Sequence, residues 1–184
     1  MDYDPKGYVG RAHPVQREIK IVCEAMTGAT LGDDVCGTDG CSIPTYAAPL
    51  HGIAKGFAQL GTGHGLAPKR AEAARRIFKA VAAQPFMVAG TGRFDTDAMN
   101  ILRERVFMKT GAEGVYCASF PELGYGIALK IDDGATRASQ AVMEALIQKH
   151  LPLDDATRSK LRALGEPTMK NWNKIEVGKV RAVI

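Results

Sequence analysis

The chain has 184 residues, enough for one domain with a substantial core, and its 46% hydrophobic and 24% charged content excludes a disordered or low-complexity protein. The 24 Lys+Arg against 20 Asp+Glu leave a net charge of +4, too mild and too scattered to read as a nucleic-acid binder. The densest basic run, Lys69, Arg70, Arg75, Arg76 and Lys79, reads as a solvated helix face.

The opening MDYDPKGYVGRAHPVQ lacks the apolar run of a signal peptide, and no stretch reaches the length of a membrane span. A cytoplasmic location is therefore the expectation. After an irregular first dozen residues, His13-Pro14 opens a helix, because proline suits a first helical position whose N–H would be unpaired anyway. Val15, Ile19, Val22, Cys23 and Met26 recur at helical spacing and predict one buried face, ended by Gly28. CGTDGCSIPTYAAPL then reads as a Gly/Asp turn followed by a short apolar strand. A helix over roughly 50–60 is broken by Gly61-Thr-Gly-His-Gly65, which reads as a helix terminator and not a phosphate cradle, since it follows a helix and lacks the P-loop lysine. Pro68 starts a further helix with Ala71, Ala74, Ile77, Phe78 and Val81 as its apolar stripe, closed by Gln84-Pro85.

Asp95 is predicted as the N-cap of a short helix, TDAMNILRE. RVFMKTG, VYCASF and YGIALKID then form three extended runs separated by glycine turns, the pattern of an antiparallel meander. Asp132-Asp133-Gly134 reads as a tight turn. A helix follows with Ala138, Val142, Ala145, Leu146 and Lys149 on its stripe, and another runs from about Asp154 to Leu164. The end, NKIEVGKVRAVI, alternates in strand fashion around Gly178. The predicted class is α+β, an antiparallel sheet packed by helices in a single domain over 1–184.

Two places carry candidate chemistry. Lys109-Thr110-Gly111 matches the K-T-G element of penicillin-recognising serine enzymes, where the lysine ammonium lies beside the nucleophile; alone, the triplet is also ordinary turn sequence. Ser42, Ser119, Ser139 and Ser159 are the four serines, none with lysine three residues on; Thr157 precedes Lys160 at that spacing, on a polar helix far from a glycine turn. The lysine partner is present without its serine. Cys36, Asp39 and Cys41 bring two thiols and a carboxylate within six residues on a turn. Asp39 reads as a turn residue or as a carboxylate offered to a substrate ammonium. A closed zinc site needs four ligands, and His51 and His64 lack finger-like spacing, so shared ligation with another segment suits these thiols better than a site within this chain. Cys117, alternating with apolar neighbours, reads as core, and four cysteines in such a chain do not suggest a disulfide scaffold.

In chain order, HPVQ (13–16), GTDGCSIPTYAAPL (37–50), GRFDT (92–96), KTGAEG (109–114) and GIALKIDDG (126–134) resemble the asparaginase II family of thermolabile bacterial L-asparaginases. The resemblance implies a fold similar to the serine β-lactamases and penicillin-binding transpeptidases, and hydrolysis of L-asparagine to aspartate and ammonia through a serine-lysine pair. It implies Lys109 as the K-T-G lysine, Asp39 as the holder of the substrate α-amino group, and Cys41 as a thiolate ligand in members that bind zinc; no organic cofactor is implied. Where some zinc-binding members carry another cysteine in the GRF-x-T segment, this chain has Asp95. The family's S-x-x-K, SHSGE-like and NCSGKH-like segments precede HPVQ and are absent here, so the chain is expected to correspond to the C-terminal half. The expected partner is a second copy or an N-terminal half, and the alternative function is a non-catalytic remnant or one subunit of a split enzyme that binds substrate or a partner.

Overall fold

The computed structural model describes residues 2–184 and is a mixture of helices and small antiparallel sheets. Helix α1 (Pro14–Thr27) begins with Pro14 in its first turn, and His13 caps it by accepting the Val15 N–H on Nδ1 at 3.2 Å. Gly28 ends it in the left-handed conformation at φ 73°, as expected. Next come β1 (Cys36–Thr38) and β2 (Pro44–Tyr46), which pair as a hairpin. Helices α2 (Leu50–Thr62), α3 (Pro68–Ala83), α4 (Phe86–Ala89) and α5 (Phe94–Leu102) precede the meander β3 (Phe107–Thr110), β4 (Val115–Phe120) and β5 (Tyr125–Lys130). Helices α6 (Thr136–His150) and α7 (Asp155–Gly165) follow, and β6 (Thr168–Lys170) with β7 (Glu176–Lys179) close the chain. No helix among the described residues is long and apolar enough to cross a membrane.

The meander is covered on both faces. Met108, Tyr116, Ala118 and Phe120 share one face and build the core with Phe94, Ala98, Met99 and Leu102 of α5, Met143 and Ile147 of α6, and Leu161 of α7. The opposite face carries Phe107, Lys109, Cys117, Ser119, Gly126 and Ala128, and α2 lies across it. Small residues allow this close approach. A Cβ on Gly126 would stand 1.8 Å from the Ala54 carbonyl oxygen and 2.5 Å from the Ala58 nitrogen. The α1 C-terminus crosses α2 at Gly52 and Gly56, where added Cβ atoms would meet the Thr27 and Met26 carbonyl oxygens at 2.8 and 3.4 Å. Phe107 anchors the end of β3 between Phe57 and Phe78, with ring centroids 5.9 and 6.3 Å away.

Several expected faces differ. The α1 stripe is not a core stripe: Gln16 is the one buried residue of that helix, while Ile19 and Val22 are exposed. The helix meets α2 closely at Gly52 and Gly56, which leaves Val15, Cys23 and Met26 half-buried and Ile19, Ile21 and Val22 exposed. On α3, Ala71, Ala74 and Phe78 are buried as expected, but Ile77 is exposed and Ala82 lies inside. On α6 the buried face is Ser139, Ala141, Met143, Glu144 and Ile147, rotated from the expected one, because the contact surface includes two polar residues that an apolar stripe does not count. The β7 strand joins neither of the other sheets. It pairs with β6 in a hairpin exposed along its whole length, with Trp172 fully exposed at the tip.

Candidate functional site

Lys109 lies near the end of β3, the edge strand of the meander, with its side chain exposed on the α2 side of the sheet. Its ammonium donates to the Thr110 carbonyl oxygen at 2.5 Å. Across the ladder it faces Cys117, whose thiol is pushed up to about 11 by burial, an effect the Lys109 charge partly offsets. Cys117 is buried, as its alternating context suggested.

Three of the five family-like segments converge here. After Gly111 the chain turns through Glu113 and Gly114, both with positive φ, and the Gly111 N–H donates to the Val115 carbonyl oxygen at 2.8 Å. Gly114 packs against the turn that ends β5: an added Cβ would lie 2.9 Å from Ile131 Cβ and 3.0 Å from the Gly134 carbonyl carbon. Gly134 is left-handed and donates to the Ile131 carbonyl oxygen at 3.1 Å, while Asp133 accepts from Ala135 N–H at 2.8 Å, so 131–134 is the tight turn that was expected. The GRFDT segment closes the other side. Asp95 is not the N-cap of α5; Arg93 occupies that place, and Asp95 sits in the first turn, fully buried, accepting the Thr110 N–H on Oδ1 at 2.9 Å. Its other oxygen, Oδ2, has no hydrogen-bond partner, nor has the buried Tyr116 hydroxyl. Burial first, then the Asp95 carboxylate nearby, holds the Tyr116 phenol well above its ordinary range, although the two form no well-made hydrogen bond.

The sequence pattern suggested a helix cap for Asp95 and not its bond to Thr110, for a physical reason. Its partner is a backbone amide fifteen residues on, and no side-chain pattern announces a backbone amide.

Asp39 and Cys41 occupy the β1–β2 turn. The Asp39 N–H donates to the Ile43 carbonyl oxygen at 2.9 Å, the Ser42 N–H to the Asp39 carbonyl oxygen at 2.8 Å, and Ser42 takes φ 75°. The Asp39 Oδ2 accepts both the Cys41 N–H at 3.2 Å and the Cys41 thiol at 3.1 Å. Those bonds, thiol first, hold its carboxyl below the usual carboxylate range although the side chain is open to solvent. The turn thus brings Asp39 and Cys41 together. No hydrogen bond or ion pair joins either to Lys109 among the described residues.

The described residues do not build a zinc site. No group of three or more His, Cys, Asp or Glu side chains is placed to hold a metal ion, and Cys41 offers one thiolate with Asp39 as its neighbour. Of the serines, Ser119 and Ser139 are buried, Ser42 is on the hairpin turn and Ser159 is on the exposed side of α7.

A model of the family described as L-asparaginase II matches residues 1–182, beyond the five segments and over essentially the whole chain. No curated protein matches it. With its resembling segments folded into one gripped lysine strand and one carboxylate turn, the chain belongs to the L-asparaginase II family.

Proposed function

We propose that this chain supplies the lysine and substrate-carboxylate part of an L-asparaginase, which hydrolyses L-asparagine to L-aspartate and ammonia with a serine from a segment outside these 184 residues. The observation that carries the reading is Lys109: an exposed ammonium at the end of a strand held by α5 on one side and by packed turns beyond it. A fixed ammonium beside a serine hydroxyl favours the deprotonated oxygen and stabilises the anion that grows on the carboxamide. In that reaction the serine oxygen bonds to the carboxamide carbon, the C–N bond breaks, and the hydroxyl proton leaves with ammonia. Water then cleaves the acyl ester, releasing aspartate and restoring the serine. Asp39, kept charged by its two bonds from Cys41, is the group suited to the substrate ammonium. Cys41 alone does not complete a zinc site, and no step here passes through a metal. Association with an N-terminal half or with a second copy of this chain, and a cytoplasmic setting, belong to the same proposal.

A second reading rests on the serines. None stands beside Lys109 with a partner lysine at S-x-x-K spacing, so the chain alone is a non-catalytic binder of asparagine or of a partner subunit.

The test is ammonia release from L-asparagine by the purified chain, alone and co-expressed with the N-terminal half of a full-length family member. Release is expected from the complemented protein alone, and Lys109→Ala is expected to lower it by about 10²–10⁴-fold, the range for a lost proton-transfer group. Release by the isolated chain that Lys109→Ala abolishes would show that the serine need not come from outside. Full activity of the complemented Lys109→Ala protein would remove Lys109 from the site.

A further inference from the structure

Strand β3 is at the edge of its sheet, and edge strands expose every second N–H. Here Phe107, Lys109 and Gly111 face β4, as the Gly111–Val115 bond shows, which turns the Met108 and Thr110 amides outward. Helix α5 meets both of them. Met99 Sδ receives the Met108 N–H at 3.5 Å, and Asp95 Oδ1 receives the Thr110 N–H at 2.9 Å. Asp95 and Met99 are four residues apart, hence on one face of the helix, and the two amides they hold flank Lys109.

Packing does not explain an aspartate at this place. The side chain is wholly buried, one oxygen has no partner, and the Tyr116 hydroxyl opposite Thr110 in the ladder has none either. The unmatched carboxylate oxygen is a cost that an apolar side chain at 95 would avoid. An apolar side chain would leave the Thr110 N–H open, however, and with it the strand position that carries Lys109.

We infer that Asp95 is the positioning residue for Lys109: its carboxylate oxygen stands in for a neighbouring strand at Thr110 and fixes the end of β3, so that the ammonium is presented in one place. This inference rests on the asparaginase reading for its chemical consequence, and on the Asp95–Thr110 bond for its structural part. The carboxamide oxygen of asparagine can accept the same N–H, so what is needed at 95 is an acceptor of this reach and not the negative charge.

The experiment is amide hydrogen exchange of the full chain read by NMR for Asp95→Leu and Asp95→Asn, with kinetics of the complemented enzyme alongside. In Asp95→Leu the Thr110 amide is expected to exchange about 10–100-fold faster, the effect of losing one buried hydrogen bond. Ala118 and Ile127, inside β4 and β5, are expected to stay unchanged. Turnover is expected to fall on the order of 10²-fold with KM little changed, as misplacement of a reacting group predicts, and Asp95→Asn restores both readouts. Should Asp95→Leu not fold, Asp95→Ser replaces it, since its shorter side chain does not reach Thr110. An unchanged Thr110 amide overturns the inference, as does acceleration of β3, β4 and β5 together, which would mark a general structural role. Faster exchange at Thr110 with unchanged kcat also overturns it. If the complemented wild-type chain releases no ammonia, the asparaginase reading fails, and the exchange result still decides whether Asp95 holds the strand.

Discussion

The two halves of the candidate site are held in place by different means. Lys109 is fixed from a distance: its strand is bonded to a buried carboxylate fifteen residues earlier, is anchored by Phe107 against Phe57 and Phe78, and leads into a turn packed on the turn after β5. Asp39 and Cys41 are fixed locally, by bonds spanning two to four residues in a hairpin exposed to solvent. The first arrangement fixes the backbone beneath an exposed ammonium. The second holds a carboxylate and a thiol against each other where both are open to solvent. Preorganisation on the lysine side and adaptability on the carboxylate side suit a site in which one group manages protons and the other grips a substrate.

Two glycines set the contrast most sharply. Gly126→Ala places a methyl inside the α2 backbone and is expected to destabilise the fold by about 3 kcal/mol, the upper end of overpacking costs; urea denaturation checks it, and a loss under 1 kcal/mol would show that α2 can move away from the sheet. The next largest difference is in thiol chemistry. At pH 8 the buried Cys117 is about a thousandth ionised, given a value of about 11, whereas Cys41 is open to reagent. Mass mapping after brief iodoacetamide treatment is therefore expected to find Cys41 modified and Cys117 intact. Because burial raises the folded-state value of Cys117, its neutral form is favoured in the native protein. The associated stability is complete below the ordinary thiol value of 9.0 and is lost as pH rises towards 11.

Acid tests the other half. The folded-state value of Asp39 is depressed, so its bonds to Cys41 persist above the ordinary carboxylate value of 3.8 and are lost as pH falls through the lower folded value. The Cys41 amide resonance is expected to shift over that range while Thr110 does not follow; joint movement would mean that the two halves are coupled. The smallest effect is expected from Gly40→Ala on the hairpin turn, where a Cβ meets nothing within 4 Å and φ is not positive. Its stability change should lie within about 0.5 kcal/mol, as at an ordinary surface position.

The parts of this fold that were legible in the sequence are those whose signals are local. Extended runs separated by glycine turns marked β3, β4 and β5, Pro14 and Gly28 bracketed α1, and Asp154 caps α7 by accepting the Thr157 N–H at 2.7 Å. Faces were less legible. Ile19 and Val22 look like core residues because they are apolar and correctly spaced, yet burial requires a partner surface, which spacing does not supply. Glu144 and Ser139 are buried on α6 because α7 and the sheet reach that side, with Gly165 packed against the Glu144 side chain. In the site, Lys109 and the Asp39–Cys41 turn stood out as motifs, while Asp95 and Tyr116 acquire their meaning from the register that sets Tyr116 beside Thr110.

The C-terminal hairpin has a consequence for observing all this. Trp172, the chain's single tryptophan, is fully exposed at the hairpin tip. Its fluorescence should therefore be red-emitting and readily quenched by iodide in the native protein, and nearly silent to loss of the core. The same indole becomes a sensitive reporter of anything that settles over the hairpin, since contact would shift its emission to the blue while the tyrosine and far-ultraviolet dichroism signals follow the fold independently.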